Sequence, residues 1–143
     1  MAAAGAGRPR QVRLPENVCG EQVRLALREA SPSGLHKRQL VMATDLSPYQ
    51  VGKGLLWIKQ IAAQQHLTPL IWDQKNGYRF SADPTDWLVY ERTQFRIEFT
   101  RITRLISGTI APHAAARPDD RAIQHILNHL RSIESTLDML AHP

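Results

Sequence analysis

Ser47, Tyr49, Gln50 and Lys53 open the stretch SPYQVGKGLLWIKQI and place a hydroxyl, a phenol, an amide and an ammonium within about two turns of a helix. Such groups recognise other molecules by hydrogen bonding and charge. A glutamine can take adenine N6 and N7 together, a lysine can take guanine or a phosphate, and a tyrosine can donate to phosphate or rest on a thymine methyl. Two further sets carry the same chemistry: Lys37 and Arg38 ahead of the stretch, and Lys75, Asn76 and Arg79 behind it. Each has a plainer alternative. Gln50 is also placed to close a capping box with Ser47, which competes with base pairing, and Lys53 can be a solvated surface lysine.

Catalytic patterns are missing from the chain. It has no Gly-rich phosphate loop, no HExxH and no nucleophile elbow, so an enzyme is not expected. His125 and His129 stand four apart, on one face of a helix, yet no third ligand lies beside them in sequence, and no metal or cofactor is expected. Cys19 is the single cysteine, which excludes an internal disulfide and fits a reducing cytoplasm. No apolar run is long enough for a membrane span, and MAAAGAGRPR lacks the apolar core of a secretory signal.

Charge is unevenly placed. Residues 1–81 carry eleven Lys/Arg against five Asp/Glu, a surplus of six, whereas residues 82–143 carry seven against eight. A basic surplus confined to one part of a chain suits a polyanionic partner there. Residues 1–14, with Arg8, Arg10 and Arg13, read as a disordered basic arm that can reach a minor groove or remain unbound.

The elements that must hold these side chains follow from pattern. A helix is expected from about Pro15 to Ala30, with Cys19, Val23, Ala26, Leu27 and Ala30 on one face, stopped by SPSG. A short helix spans roughly His36 to Thr44, with Leu40, Val41 and Ala43 partly inward. After a tight turn at Asp45, a helix over about 48–65 starts at Ser47, with Pro48 first and a buried stripe of Val51, Leu55, Ile58 and Ala62. Gly52 and Gly54 sit inside it, each costing about 1 kcal/mol against alanine. Gly54 should let this helix pack closely on the short helix before it, and Gly52 should let a phosphate strand approach. Leu70–Trp72 and Tyr78–Phe80 then read as a hairpin across a five-residue loop, within a wing of residues 69–81. Trp57 and Leu56 should pack against that wing or under the next helix.

Asp83-Pro84 opens a long helix with apolar Leu88, Phe95, Phe99, Ile102 and Ile106, expected to end at Gly108. Residues 109–118 read as a linker. The last helix, from Asp119-Asp120, carries Ile123, Ile126, Leu130, Ile133, Leu137 and Leu140 at spacings of three and four, about two and a half heptads suited to self-association. Leu127 widens that stripe, so packing on the long helix is the alternative.

Helix, short helix, tight turn, capped helix and hairpin make the order of a winged helix-turn-helix. KRQLVMATDLSPYQVGKGLLWI, Lys37 to Ile58, resembles the helix-turn-helix of bacterial transcription regulators through Leu40, Ala43, Leu46-Ser47, Val51 and Leu55, with Asp45 where that pattern usually has glycine. The whole chain resembles the actinobacterial RacP-like proteins, small winged-helix proteins with helical C-terminal extensions. The resemblance implies DNA binding. Taken with the element pattern, the expectation is a mainly α fold with a small β-hairpin, with residues 15–82 reading DNA and residues 83–143 assembling a dimer. The partner expected is double-stranded DNA at an inverted repeat, bound by a homodimeric regulator at the nucleoid. An unidentified small-molecule effector fits the aromatic residues Trp87, Tyr90, Phe95 and Phe99. The competing expectations are a non-specific architectural DNA-binding protein and a winged helix that binds protein through Leu56 and Trp57.

Overall fold

The computed structural model describes residues 13–143, so Arg8 and Arg10 lie outside the described residues. The chain is mainly helical with one small two-stranded antiparallel sheet. Its contacts divide it into two compact units that meet at the Ala82–Asp83 junction.

The first unit contains α1 (Glu16–Ala30), α2 (Lys37–Thr44), α3 (Pro48–Trp57), a π-helical turn (Ile58–Ala62), α4 (Ala63–His66), β1 (Leu70–Asp73) and β2 (Gly77–Phe80). Its core joins Cys19, Val23 and Leu27 of α1 to Leu40 of α2, Leu46 of the turn, and Val51, Leu55, Ile58 and Ala62 of the third helix and its continuation. Ala43 is exposed rather than inward. Asp45 takes the left-handed conformation at φ 57°, ψ 14° and ends α2. A short polar side chain tolerates that region better than most.

Both α1 and α3 are notched where they cross. A Cβ on Gly54 would stand 2.8 Å from the Cys19 carbonyl oxygen and 3.0 Å from Val23 Cγ2, and a Cβ on Gly20 would overlap the Trp57 indole. Gly54 therefore seats α3 on α1, not on the preceding short helix as its sequence position suggested. The large partner surface is offered by α1, while α2 is only eight residues long. Trp57 packs on α1 at Gly20 and against the first core, and Leu56 stays exposed.

The hairpin loop is three residues, 74–76, not five. Pairing continues to Asp73–Gly77 because Gly77 adopts φ 74° there and Asp73 caps the loop. Left-handed glycine after a short turn is the usual way a three-residue hairpin loop closes.

The second unit consists of α5 (Pro84–Leu105), a second π-helical turn (Ile106–Ile110), α6 (Ala111–Ala116) and α7 (Arg121–Ala141). Asp83 caps α5 through Thr85 N–H at 2.9 Å, and Asp120 caps α7 through Ala122 N–H at 3.0 Å. Gly108 does not end the long helix, and most of the expected linker is helical. Pro112 would press its ring on the carbonyl four residues back, at Gly108, in a regular α-helix. The wider π turn lies where that conflict falls. Burial of Ile106 and Ala114 with Ile123 and Leu127 then favours continued helix over the cost of an exposed glycine. Leu88, expected in the apolar stripe, is exposed, whereas Phe95, Phe99 and Ile102 are half-buried.

Candidate nucleic-acid interface

The start of α3 is built by a reciprocal cap. Gln50 N–H donates to Ser47 Oγ at 3.1 Å, and Ser47 N–H donates to Gln50 Oε1 at 3.0 Å. Two amides otherwise left without helical acceptors are satisfied in this way. The oxygen that adenine recognition would use is thus occupied in the cap.

One residue further out, Tyr49 is 73% exposed. Lys53 reaches back one turn and holds its Nζ 5.6 Å from the centre of the Tyr49 ring, a cation–π pair. Between them lies Gly52. A Cβ added there would meet only Lys37 Nζ, at 3.4 Å. That is ordinary contact distance, and it shows that the structure brings the Lys37 ammonium of α2 alongside α3.

The hairpin is tied to the same place. Leu35 N–H donates to the Tyr78 carbonyl and Tyr78 N–H to the Leu35 carbonyl, both at 2.8 Å, so the segment entering α2 adds a bridge beside β2. His36 Nε2 lies 3.3 Å from the Lys75 carbonyl oxygen at the loop tip. A Cβ on Gly77 would stand 2.6 Å from the Leu35 carbonyl, and one on Gly34 would overlap the Asn76 carbonyl, so only glycines allow this contact. These contacts gather Tyr49, Lys53 and Lys37 beside Gly52, and His36, next to Lys37 in sequence, meets the backbone of exposed Lys75. Arg38 is exposed on α2 next in sequence to Lys37.

Two candidates of the loop are held by an acid. Asp73 accepts Asn76 N–H at 2.7 Å and Asn76 Nδ2 at 3.0 Å, and Arg79 Nε stands 3.8 Å from its carboxylate. Burial raises the pKa of Asp73, but the hydrogen bonds from Asn76 and Lys75 and the charge of Arg79 outweigh it. The carboxyl titrates below its ordinary range. Asn76 shapes the loop, and part of the charge of Arg79 is balanced within the hairpin.

On α7 the six apolar positions divide. Ile123 is buried, and Leu130 packs against the cluster of Ile106, Ala114, Ile123 and Leu127 inside the unit. Leu137 is half-buried. Ile126, Ile133 and Leu140, spaced by seven, are 45%, 47% and 41% exposed. Elsewhere α7 is fastened to α5 by Thr103 Oγ1 donating to Glu134 Oε2 at 2.8 Å and by the Phe99 and His142 rings meeting edge to face at 5.9 Å.

His125 and His129 bring their Nε2 atoms to 2.9 Å, one ring donating to the other. Among the described residues no group of three or more His, Cys, Asp or Glu side chains is assembled for a metal ion. Nor is any described helix long and apolar enough to cross a membrane.

Sequence reasoning missed the part played by His36. Its signal was present: Gln39 three residues on returns its Oε1 to the His36 N–H at 2.8 Å, another N-terminal capping contact. No family model, curated protein or solved structure matches this chain.

Proposed function

We propose that residues 15–82 are a winged helix-turn-helix that binds double-stranded DNA, with α3 in the major groove and the β1–β2 wing on the backbone or in the minor groove. The chain acts as a homodimeric transcriptional regulator at the nucleoid. The observation that carries this reading is the placement of the Lys37 ammonium over Gly52. It aligns cations from two helices beside the exposed Tyr49–Lys53 pair, and the His36–Lys75 contact extends the surface to the wing. A groove-bound helix needs such backbone contacts on its flanks to fix its register. In this reading Lys37, Arg38, Lys53, Lys75 and Arg79 meet phosphates, while Ser47, Tyr49 and Gln50 stand at the base edges. Asn76 holds the wing in shape. The uncovered row Ile126, Ile133 and Leu140 is where a second copy would pack, since apolar side chains at heptad spacing suit a helix–helix seam.

A specific observation also favours a second reading, an architectural protein with little sequence preference. The Gln50 oxygen and the Asn76 amide are both engaged within the chain, so most of what faces outward binds backbone. Fluorescence anisotropy separates the two. The wild-type protein and Lys37→Ala/Lys53→Ala are titrated with the duplex upstream of the protein's own gene and with a scrambled duplex, at two salt concentrations. Preference for the upstream duplex supports the regulator. Equal binding with a steep salt slope supports the architectural protein, and each lost phosphate contact should flatten that slope by about one. Failure to bind either duplex at low salt refutes both.

A further inference from the structure

The first unit contains a cavity of about 340 Å³ on a side of the fold that none of the residues assigned to DNA lines. Its walls are apolar: Ile58 and Ala62 from the π turn, and Phe80 from β2. Around them stand three nitrogen bases, Arg24 and Arg28 of α1 and His66 of α4. The two arginines differ. Arg24 is held by Glu21 through two hydrogen bonds of 3.0 and 2.9 Å, so its charge is balanced. Arg28, one turn on, is exposed and has no ion pair among the described residues. Glu21 is near enough for its charge to feel Arg28 and His66 as well, yet it is Arg24 that holds its carboxylate, so the Arg28 guanidinium is left without a direct ion pair. A half-open apolar hollow with such a guanidinium beside it matches an amphipathic anion: the body lies in the hollow and the acid group pairs with Arg28. The volume is at the lower end of small-molecule sites, which limits the ligand to a compact one. The wall itself is unusual. Two of its residues belong to a π-helical turn, a conformation that recurs at functional sites because it displaces side chains from the regular helical face.

We infer that this cavity is a binding site for a small organic monocarboxylate, with Ile58, Ala62 and Phe80 enclosing its apolar part and Arg28 pairing with its carboxylate. The site is independent of DNA binding, because it shares no residue with the surface described above. It is also distinct from the aromatic face of α5, where the sequence suggested an effector.

Octanoate is the probe. The ¹⁵N-labelled full chain is titrated with sodium octanoate and, in parallel, with octanol, and amide shifts are followed. The expected result is saturable shifts confined to residues 24–28, residues 58–68 and the neighbourhood of Phe80, with octanoate about tenfold tighter than octanol. Arg28→Ala should bring octanoate down to octanol's affinity. Ala63→Trp, placed at the edge of the cavity to fill it, should weaken both ligands at least about tenfold. Unchanged far-UV circular dichroism in both variants shows that the fold is retained. Octanoate shifts that are scattered or do not saturate, equal binding of octanol, or full octanoate affinity in Arg28→Ala would each overturn the proposal.

Discussion

Gly52 and Gly54 are two residues apart in one helix, yet alanine should have opposite effects at the two positions. At either site alanine gains about 1 kcal/mol of helix propensity. At Gly52 the new methyl would meet only the end of the flexible Lys37 side chain, 3.4 Å away, so most of that gain survives. At Gly54 it would press on the Cys19 carbonyl oxygen at 2.8 Å and on Val23 Cγ2 at 3.0 Å. The first of these is backbone inside α1 and cannot swing aside. Overpacking of this kind costs about 1–3 kcal/mol, which exceeds the propensity gain over most of its range. Gly54→Ala should therefore destabilise the first unit by about 1 kcal/mol, while Gly52→Ala stabilises it by about 0.5–1 kcal/mol. The assay is urea unfolding followed by tryptophan fluorescence in a Trp87→Phe background, so that the signal comes from Trp57 and Trp72. If Gly54→Ala unfolds at higher urea than the parent, the close α1–α3 crossing is wrong and the account of the core fails with it. The same pair also bears on function. On the proposed DNA-binding surface Gly52→Ala should leave affinity nearly unchanged, because its methyl meets the Lys37 ammonium at ordinary contact distance.

Four other outcomes follow from the structure. Ser47→Ala removes the side-chain half of the α3 cap and should cost about 1 kcal/mol in the same urea assay. The proposed dimer should be seen by light scattering in wild type and be lost in Ile126→Asp/Ile133→Asp with helical content unchanged; a wild-type monomer, or a dimer that persists in the variant, would remove the α7 flank as the seam. Leu40→Ala, fully buried at the centre of the first core, should lose about 2–5 kcal/mol. The folded pKa of Asp73 lies below its ordinary value. Its contribution is therefore complete above the unfolded pKa, near 3.9, and is lost as pH falls through the folded value. Hairpin amide signals in wild type should report that acid loosening, and Asp73→Asn should not show it.

Short-range chemistry made much of the fold readable. Ser47, Pro48 and Gln50 locate the start of α3 to the residue, Asp83 does the same for α5, and the pair Asp119-Asp120 brackets the start of α7, because a cap depends on neighbours within three positions. The stripe Val51, Leu55, Ile58 and Ala62 is buried as its spacing requires. Distant partners were not readable. Which helix Gly54 touches is decided by Cys19, thirty-five positions away, and the bridge between Leu35 and Tyr78 has no local signal. The two π turns escaped for a related reason: a helical wheel assumes one fixed period, and a single wider turn leaves the pattern nearly intact. The candidate surface was legible in its residue types but only partly in their commitments. Gln50 could be read as a cap from its spacing to Ser47, and it is one, whereas Asn76 looked like a partner of Lys75 yet is occupied within the chain by Asp73. The cavity was invisible, since Arg28 and His66 are thirty-eight positions apart and neither belongs to a motif.

The two backbone bonds between Leu35 and Tyr78 also have a mechanical meaning. A two-stranded ribbon standing alone bends easily about its base and opens often. Here the ribbon is clamped near its tip, at Tyr78, to the residue that leads into α2, so the loop end of the ribbon is tied to that helix. A force applied at Lys75 is delivered to the N-terminus of α2 and through it to the turn at Asp45. The amide protons of Leu35 and Tyr78 should then exchange together and slowly, on the timescale of opening of the whole first unit rather than of a loop. A load on the tip would be felt at the start of α3.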